Sequence, residues 1–334
     1  MDPLDRLTNR SALEAEMAKL EDETDINAEE LAAYIKSKVI GQDRVADDVA
    51  KQVRYRFAQS DLTKPIGVFC FAGPPGVGKT YFAEVLTEKL YKSKKSLVFL
   101  DMNQYSEPHA ASAMFGVGGA GEYTGDRYGI LTRALRDYPK AVVLLDEFEK
   151  AHSSVHKKFL TAWNDGFIIV PQGGEKISTT QAIFILTTNA AADLIGQHAR
   201  TYAEQRDQLL KASKTALRES GFAPEVLSRI DQVFAFSSLA GLDIARVVGL
   251  EIEKLVSRYK LELAPGGIDP VILARAIQRS KDLQAGGVRE LARAFESELA
   301  ESIMDAKAQG AKTIRLVDGP DGIRAEIETY KDTR

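Results

Sequence analysis

The sequence has 334 residues, enough for about two domains and a sizeable hydrophobic core. Apolar residues make up 44% and charged residues 28%, and a net charge of −4 argues against a dedicated nucleic-acid-binding protein. The single cysteine, Cys70, excludes an internal disulfide and a cysteine-based zinc site, and the lack of an apolar signal region or membrane-length apolar run predicts a cytoplasmic protein without membrane spans.

The start of the chain, residues 1–37, is predicted to be a helical extension. Asn27 followed by Glu30 is a capping pattern and marks the beginning of one of its helices. The acidic segment before it, residues 21–25, is interpreted as a solvated linker, with an arm that docks a partner as the alternative. A further amphipathic helix is predicted to begin near Gln42.

A glycine-rich motif stands between an apolar run, residues 66–71, and a helical pattern, residues 80–91. The motif is a complete G-x-x-x-x-G-K-T, formed by Gly73, Pro74, Pro75, Gly76, Val77, Gly78, Lys79 and Thr80. Glycines allow backbone N–H groups to turn toward a phosphate, and the helix N-terminus adds partial positive charge. We therefore expect a nucleotide-binding site formed by the whole motif together with Tyr81, in which Lys79 contacts the β- and γ-phosphates and Thr80 binds Mg²⁺. A plain glycine turn, the alternative, requires neither Lys79 nor Thr80.

Four more apolar runs have the character of buried strands and alternate with helical stretches. They cover residues 97–100, 141–145, 182–186 and 233–236. With the first run they predict an α/β fold whose five-stranded parallel sheet is covered by helices on both faces. Ligands of such sheets bind at the carboxyl ends of the strands. Three runs end in candidate functional residues: the first leads into the phosphate loop, the run at 141–145 into Asp146-Glu147, and the run at 182–186 into Thr187-Thr188-Asn189.

The pattern changes after residue 236. Helix starts at Asp243 and Asp269 precede a long amphipathic pattern, and two alternating runs, residues 313–317 and 323–327, predict a hairpin. The expected parts are the helical extension, residues 1–37, a large α/β domain, residues 38–236, and a smaller α+β domain, residues 237–334.

Two adjacent acids, Asp146 and Glu147, close the third apolar run. In isolation, a strand that runs into a polar turn would explain them equally well. Beside a phosphate loop, one carboxylate can bind Mg²⁺ and the next can orient and deprotonate an attacking water. We therefore assign Asp146 to magnesium and Glu147 to the general base.

Six motifs occur in a fixed order along the chain. They are Val39-Ile40-Gly41-Gln42, the phosphate loop, residues 145–152, Thr188-Asn189, residues 227–231 and residues 286–289. Together they resemble the Clp-type AAA+ ATPases, and most closely the second ATPase module of the ClpB and ClpA unfoldases. The resemblance runs from about residue 39 to the C-terminus. It implies an AAA+ P-loop NTPase fold with a smaller lid domain, and Mg²⁺-dependent hydrolysis of ATP.

The resemblance also implies roles for individual residues. Val39 and Ile40 would line the adenine pocket, and Asn189 would be the first sensor, which polarises the attacking water. Arg289 would be the second sensor, reaching the γ-phosphate from the small domain. Arg229 would be an arginine finger acting on ATP of the neighbouring subunit, a contribution worth about 10³ to 10⁵ in rate. The alternatives are a surface salt bridge for Arg229 and a helix N-terminal cation for Arg289.

Two departures from the family bear on the specific function. Unfoldases of the family carry a pore loop with the pattern aromatic-hydrophobic-glycine, and Tyr123, Thr124 and Gly125 can be aligned with it. The alignment needs one extra residue upstream and places Thr where an aliphatic residue is usual. The alternative is a glycine-rich surface loop. The docking loop of protease-coupled relatives is matched by residues 194–197, where Gln197 replaces an apolar residue. This replacement argues against a ClpP-like peptidase as a partner.

The resemblance predicts a homo-oligomeric ring, a hexamer, that hydrolyses ATP and threads a protein substrate through its pore to remodel or unfold it. One alternative is an ATP-gated assembly factor that holds a partner without threading. Another is a nucleic-acid motor or loader on the same core, against which the acidic composition argues.

Overall fold

A computed structural model of the chain describes residues 26–59, 63–116, 127–202, 204–282, 287–319 and 322–328. Its strands are β1 (Gly67–Ala72), β2 (Leu97–Asp101), β3 (Val142–Asp146), β4 (Phe167–Ile169), β5 (Lys176–Ser178), β6 (Ile183–Thr188), β7 (Gln232–Ala235), β8 (Glu262–Ile268), β9 (Thr313–Gly319) and β10 (Gly322–Ile327). Its α-helices are α1 (Ala28–Lys38), α2 (Asp43–Phe57), α3 (Lys79–Tyr91), α4 (Ala111–Phe115), α5 (Ile130–Asp137), α6 (Ser153–Asn164), α7 (Ala192–Thr201), α8 (Arg206–Glu219), α9 (Pro224–Leu227), α10 (Leu242–Arg258), α11 (Pro270–Asp282) and α12 (Gly287–Ala308).

The central sheet has five parallel strands in the order β2-β3-β6-β1-β7, which confirms the predicted α/β fold. Ala72 at the end of β1 pairs with Thr188 at the end of β6, and Asp101 pairs with Asp146 across β2 and β3. The polar strand ends therefore lie along one edge of the sheet, where open α/β sheets bind their ligands.

Helices cover both faces of this sheet, and alternate residues of β1 show how. Phe69 and Phe71 face one layer, which contains α1, α2 and α3, while Val68 and Cys70 face the layer that contains α6 and α8. The Cys70 side chain is fully buried, and its burial raises the pKa of the thiol to about 12, as expected for an unreactive core cysteine.

Helix α1 packs against α2 and α3. Asn27 caps it, because its Oδ1 accepts hydrogen bonds from the backbone N–H groups of Glu29 and Glu30 at 3.0 and 3.2 Å. Leu31 and Ile35 are buried in the same core as β1, and burying such a side chain contributes about 1.5–3 kcal/mol. The predicted helix start is thus confirmed. The division of the chain into three parts stays a prediction, although α1 shares the core of the large domain.

The last part of the described chain combines α10, α11 and α12 with a three-stranded sheet in the order β10-β9-β8. The predicted hairpin is present as antiparallel β9 and β10. Strand β8 is an addition: it runs parallel to β9 and changes register between Leu263 and Ile268. The antiparallel pair β4 and β5 was likewise not predicted from the sequence. In the described residues, no helix combines the length and apolar character needed to cross a membrane.

Candidate nucleotide-binding site

The phosphate loop joins β1 to the first turn of α3. Gly76 and Gly78 have φ of 74° and 94°, values that side chains other than glycine rarely adopt. Gly73 is restricted by space, since a Cβ there would lie 2.6 Å from the carbonyl oxygen of Phe236. These glycines allow the backbone to form a tight cradle at the N-terminus of a helix, the arrangement that binds phosphate groups.

Lys79 lies at the centre of this cradle and is buried. Its Nζ donates to the carbonyl oxygens of Gly73 and Pro74 at 2.7 and 2.8 Å and to Oδ1 of Asn189 at 2.7 Å. Burial lowers the pKa of Lys79 to about 8, while the nearby carboxylates of Asp146, Glu149 and Glu147 act in the opposite direction. The ammonium group is therefore held by neutral oxygen atoms, which an anionic phosphate would outcompete.

Asp146 receives two hydroxyl hydrogen bonds on one carboxylate oxygen. Thr80 Oγ1 donates to Asp146 Oδ1 at 3.0 Å, and Thr187 Oγ1 donates to the same atom at 2.7 Å. The Thr80 hydroxyl and the Asp146 carboxylate are hard oxygen ligands of the kind that Mg²⁺ prefers. Mg²⁺ in nucleotide sites usually binds through one or two such protein oxygens and keeps water and phosphate oxygens as its other ligands. The residues present therefore fit magnesium.

Glu147 has its carboxylate held on both oxygens by amide groups. Asn189 Nδ2 donates to Oε1 at 3.2 Å and Asn103 Nδ2 donates to Oε2 at 2.9 Å. The backbone of Glu147 is left-handed, with φ of 55°, and its N–H donates to Thr187 Oγ1 at 2.9 Å. This conformation turns the side chain at the strand end toward Asn103 on one side and Asn189 on the other.

Asn103 extends the site beyond the residues predicted from the sequence, and Thr187 and Glu149 make contacts in it although the sequence assigned them no role. Asn103 also donates to Asp101 Oδ1 at 2.8 Å, and Glu149 accepts a hydrogen bond from the backbone N–H of Asn189 at 3.1 Å. Asn103 is the third residue after an apolar run, a position comparable to that of Asn189, and this was the sequence signal for it. Thr187 belongs to the polar strand end Thr187-Thr188-Asn189 and Glu149 to the motif at residues 145–152, but neither has a role predicted from the sequence.

The segment expected to line the adenine pocket lies beside the phosphate loop. Val39 is buried, and its Cγ1 is 3.7 Å from the position that a Cβ of Gly78 would occupy. The Gln42 side chain exchanges two hydrogen bonds with the backbone of Ser237, at 2.9 and 3.1 Å, and donates to Val77 O at 3.3 Å. Gln42 therefore ties this segment to the phosphate loop and to the chain that leads into the small domain.

The remaining predicted residues are distributed around this centre. Ile40 is half-buried and Tyr81 is exposed on α3. Arg229 is exposed in the turn between α9 and β7, and Arg289 belongs to α12. The predicted pore-loop segment, residues 123–125, lies outside the described residues. The structure thus brings Lys79, Thr80, Asp146, Glu147 and Asn189 together, and the roles of all the predicted site residues stay predictions.

Comparison with known proteins gives consistent matches. The family model for the AAA domain (Cdc48 subfamily) matches residues 64–233, and that for Torsin matches residues 15–111. The chain is 33% identical over 304 residues to Chaperone protein ClpB 2 of Parasynechococcus marenigrum, covering 89% of this chain and 33% of the relative. Identity to Chaperone protein ClpB 2 of Thermosynechococcus vestitus is 35% over 308 residues, covering 86% and 32%. Chaperone protein ClpB of Wolinella succinogenes is 33% identical over 308 residues, covering 85% and 34%. The chain spans about a third of the length of these curated relatives.

Proposed function

Because the chain belongs to the Clp-type AAA+ ATPases, a family of nucleotide-binding proteins, we propose that it hydrolyses ATP to ADP and phosphate and thereby remodels or unfolds a protein substrate. One observation carries the hydrolytic part: a continuous hydrogen-bonded path from Lys79 through Asn189 to Glu147. It links a cation in a phosphate cradle to a carboxylate suited to activating water.

Each member of this path has a separate task in the proposed reaction. Lys79 would exchange its backbone carbonyl partners for phosphate oxygens of ATP. Glu147 would accept the proton of the attacking water, a contribution typically worth about 10² to 10⁴ in rate. Asn189, which contacts both, would polarise that water. Thr80 and Asp146 would hold Mg²⁺, which would neutralise negative charge on the phosphates.

The assembly forms the second part of the proposal. We expect a homo-oligomeric ring, a hexamer, in which Arg229 reaches ATP bound by the neighbouring subunit and Arg289 reaches the γ-phosphate within its own subunit. The exposure of Arg229 and its position at the end of the short helix α9 support this role. An arginine that acts in trans would make each ATP site a property of two chains.

The mechanical part of the proposal is that the ring threads its protein substrate. Tyr123, Thr124 and Gly125 would line the pore and grip the passing chain. The chaperone names of the curated relatives support a protein substrate over a nucleic acid. Gln197 lies within α7 and supplies an amide where docking to a ClpP-like peptidase uses an apolar side chain, so that partner is not proposed. A cytoplasmic location stays a prediction.

Affinity capture with the Glu147→Gln variant and ATP tests this function. Removing the base while leaving the phosphate cradle intact should stabilise an ATP-bound ring on its substrate. We expect specific proteins to be retained by Glu147→Gln with ATP and lost with Lys79→Ala, the matched variant that lacks the phosphate contact. Retention without unfolding of a tagged client by the parent protein would favour the assembly factor, and ATPase activity stimulated by duplex nucleic acid would favour the motor.

A further inference from the structure

The turn that carries Arg229 is held by the residue two positions later, Asp231. One oxygen of its carboxylate, Oδ2, accepts the backbone N–H of Val68 at 2.8 Å, and the backbone N–H of Asp231 donates to Val68 O at 2.8 Å. The other oxygen, Oδ1, pairs with the guanidinium of Arg56. Asp231 therefore joins the turn to β1 and to α2 at the same time.

Both supports are rigid parts of the molecule. Val68 lies in β1, which is flanked by β6 and β7 and leads directly into the phosphate loop. Arg56 lies in the last turn of α2, where a cation also interacts favourably with the partial negative charge at the end of the helix. Val49 and Val53 of that helix are completely buried in the core. A carboxylate bound to two such elements fixes the direction in which the turn leaves the sheet.

Arg229 itself has little support of its own. Its side chain is exposed, and none of the ion pairs found among the described residues includes it. Its backbone N–H donates to Val226 O at 3.0 Å, which continues the turn of α9. The reach of this side chain is therefore set by the turn, and the turn is set by the side chain of Asp231.

We propose that Asp231 is a positioning residue for Arg229. Its ion pair with Arg56 holds Arg229 where the guanidinium can contact ATP bound by a neighbouring subunit. This inference rests on the proposed action of Arg229 in trans. Catalytic contacts of this type depend steeply on position, since a displacement of about 1 Å can cost about 100-fold in rate. An Asp231→Asn substitution keeps the size of the side chain and an acceptor for Val68, but it removes the charge that pairs with Arg56.

Mixed rings separate this role from a general effect on folding. Lys79→Ala subunits cannot use their own site but can supply Arg229, whereas Arg229→Ala subunits retain a site and lack the arginine. Mixing the two should restore part of the ATPase activity. Asp231→Asn placed in the Lys79→Ala subunit should reduce this recovery by about ten-fold, because that subunit contributes the arginine. The same substitution in the Arg229→Ala subunit should leave the recovery within about two-fold.

Two further variants complete the test. Arg56→Gln removes the same ion pair from the other side and should reproduce the asymmetry. Asp48→Asn is the control, because Asp48 lies on α2 like Arg56 but pairs with Arg206 instead of Asp231. Loss of that ion pair should produce no asymmetry between the two subunits. Native mass spectrometry confirms that the rings are mixed.

The outcomes distinguish the two levels of the proposal. Absence of any recovery in confirmed mixed rings would reject the action of Arg229 in trans, and with it the premise. Recovery that Asp231→Asn reduces equally in both subunits, or in neither, would reject the positioning role while leaving Arg229 in place.

Discussion

Lys79 and Asn189 are joined by a hydrogen bond of 2.7 Å between Nζ and Oδ1. The same Asn189 donates its amide to Glu147. Lys79, expected to bind phosphate, and Glu147, expected to activate water, are therefore linked by two hydrogen bonds through Asn189. Substitutions of Lys79 and of Glu147 should have different consequences.

The first prediction compares Lys79→Ala with Glu147→Gln. Lys79→Ala removes the phosphate contact and should abolish productive ATP binding. Glu147→Gln keeps the shape of the side chain, so ATP should bind with parent affinity while hydrolysis falls by about 10² to 10⁴. Nucleotide titrations and steady-state ATPase assays measure the two effects. A Glu147→Gln variant that hydrolyses ATP at the parent rate would remove Glu147 as the base.

The second prediction follows from the pKa of Lys79, which burial lowers to about 8 in the nucleotide-free protein. Phosphate oxygens favour the charged amine, so ATP binding at pH 8.5 should take up roughly half a proton or more, whereas at pH 6.5 Lys79 is already protonated. Calorimetric titrations in two buffers of different ionisation enthalpy measure this uptake. Lys79→Arg is the control, because arginine does not titrate in this range.

The same pKa sets the direction of a stability change. The native protein binds fewer protons than the unfolded chain between about pH 8 and pH 10.5, because unfolding restores the usual pKa of Lys79. The free energy of unfolding should therefore increase as pH rises through this window, which means that Lys79 destabilises the native protein less at pH 10 than at pH 8. Denaturant unfolding of the parent protein and of Lys79→Met across this range would show it, and identical pH dependences would contradict it.

The third prediction concerns Gly73. A Cβ at this position meets the Phe236 carbonyl oxygen at 2.6 Å and Phe236 Cβ at 2.8 Å, so Gly73→Ala should lower the unfolding free energy by about 1–3 kcal/mol and weaken nucleotide binding. Gly196→Ala is the matched control: Gly196 lies within α7 with nothing within 4 Å of the added carbon. There the same change should stabilise the protein by about 0.5–1 kcal/mol. Thermal denaturation with and without ATP compares them.

The fourth prediction assigns a measurable effect to Asn103. Asn103→Ala leaves the Glu147 carboxylate held by Asn189 alone, so hydrolysis should fall by about ten-fold, less than the 10² to 10⁴ expected on loss of the base. The dissociation constant for ATP should stay unchanged, because the Asn103 side chain donates to Asp101 and Glu147, which are not part of the phosphate loop. A change confined to ATP affinity would place Asn103 outside the hydrolytic network.

The fifth prediction tests the proposed grip of Tyr123. Tyr123→Ala should leave basal ATPase activity within a few-fold, while substrate-stimulated activity and unfolding are lost, because the aromatic contact face contributes roughly 1.5–3 kcal/mol when it is covered. Tyr123→Phe retains that face and should retain most of the activity. Unfolding of a fluorescent client measures both. A Tyr123→Ala variant that unfolds the client at the parent rate would remove the main support for threading.

The central sheet could be predicted because each of its strands is a short apolar run followed by a helical pattern. Strand β8 could not, since Pro265, Gly266 and Gly267 are typical of a loop; the residues that pair with β9, Glu262, Leu263 and Ile268, lie on either side of them. The three-residue strands β4 and β5 are too short to show a period of two. Tertiary pairing, rather than local propensity, determines these elements.

The candidate site divides in the same way. Lys79, Thr80 and Asp146 belong to contiguous motifs whose chemistry can be read directly. Asn103 lies 44 positions before Glu147 in the chain, and their contact exists only because β2 pairs with β3. Residues brought together by strand order, without a shared motif, need the structure to be found.

The left-handed backbone at Glu147 sets a limit on engineering this protein. A side chain at φ of 55° costs about 1–2 kcal/mol, which glycine avoids and asparagine tolerates better. A library selected for heat resistance alone should therefore enrich Gly or Asn at position 147. The selected variants would be more stable to heat but would lack the Glu147 carboxylate. Such a selection therefore has to measure ATP hydrolysis as well as thermal stability.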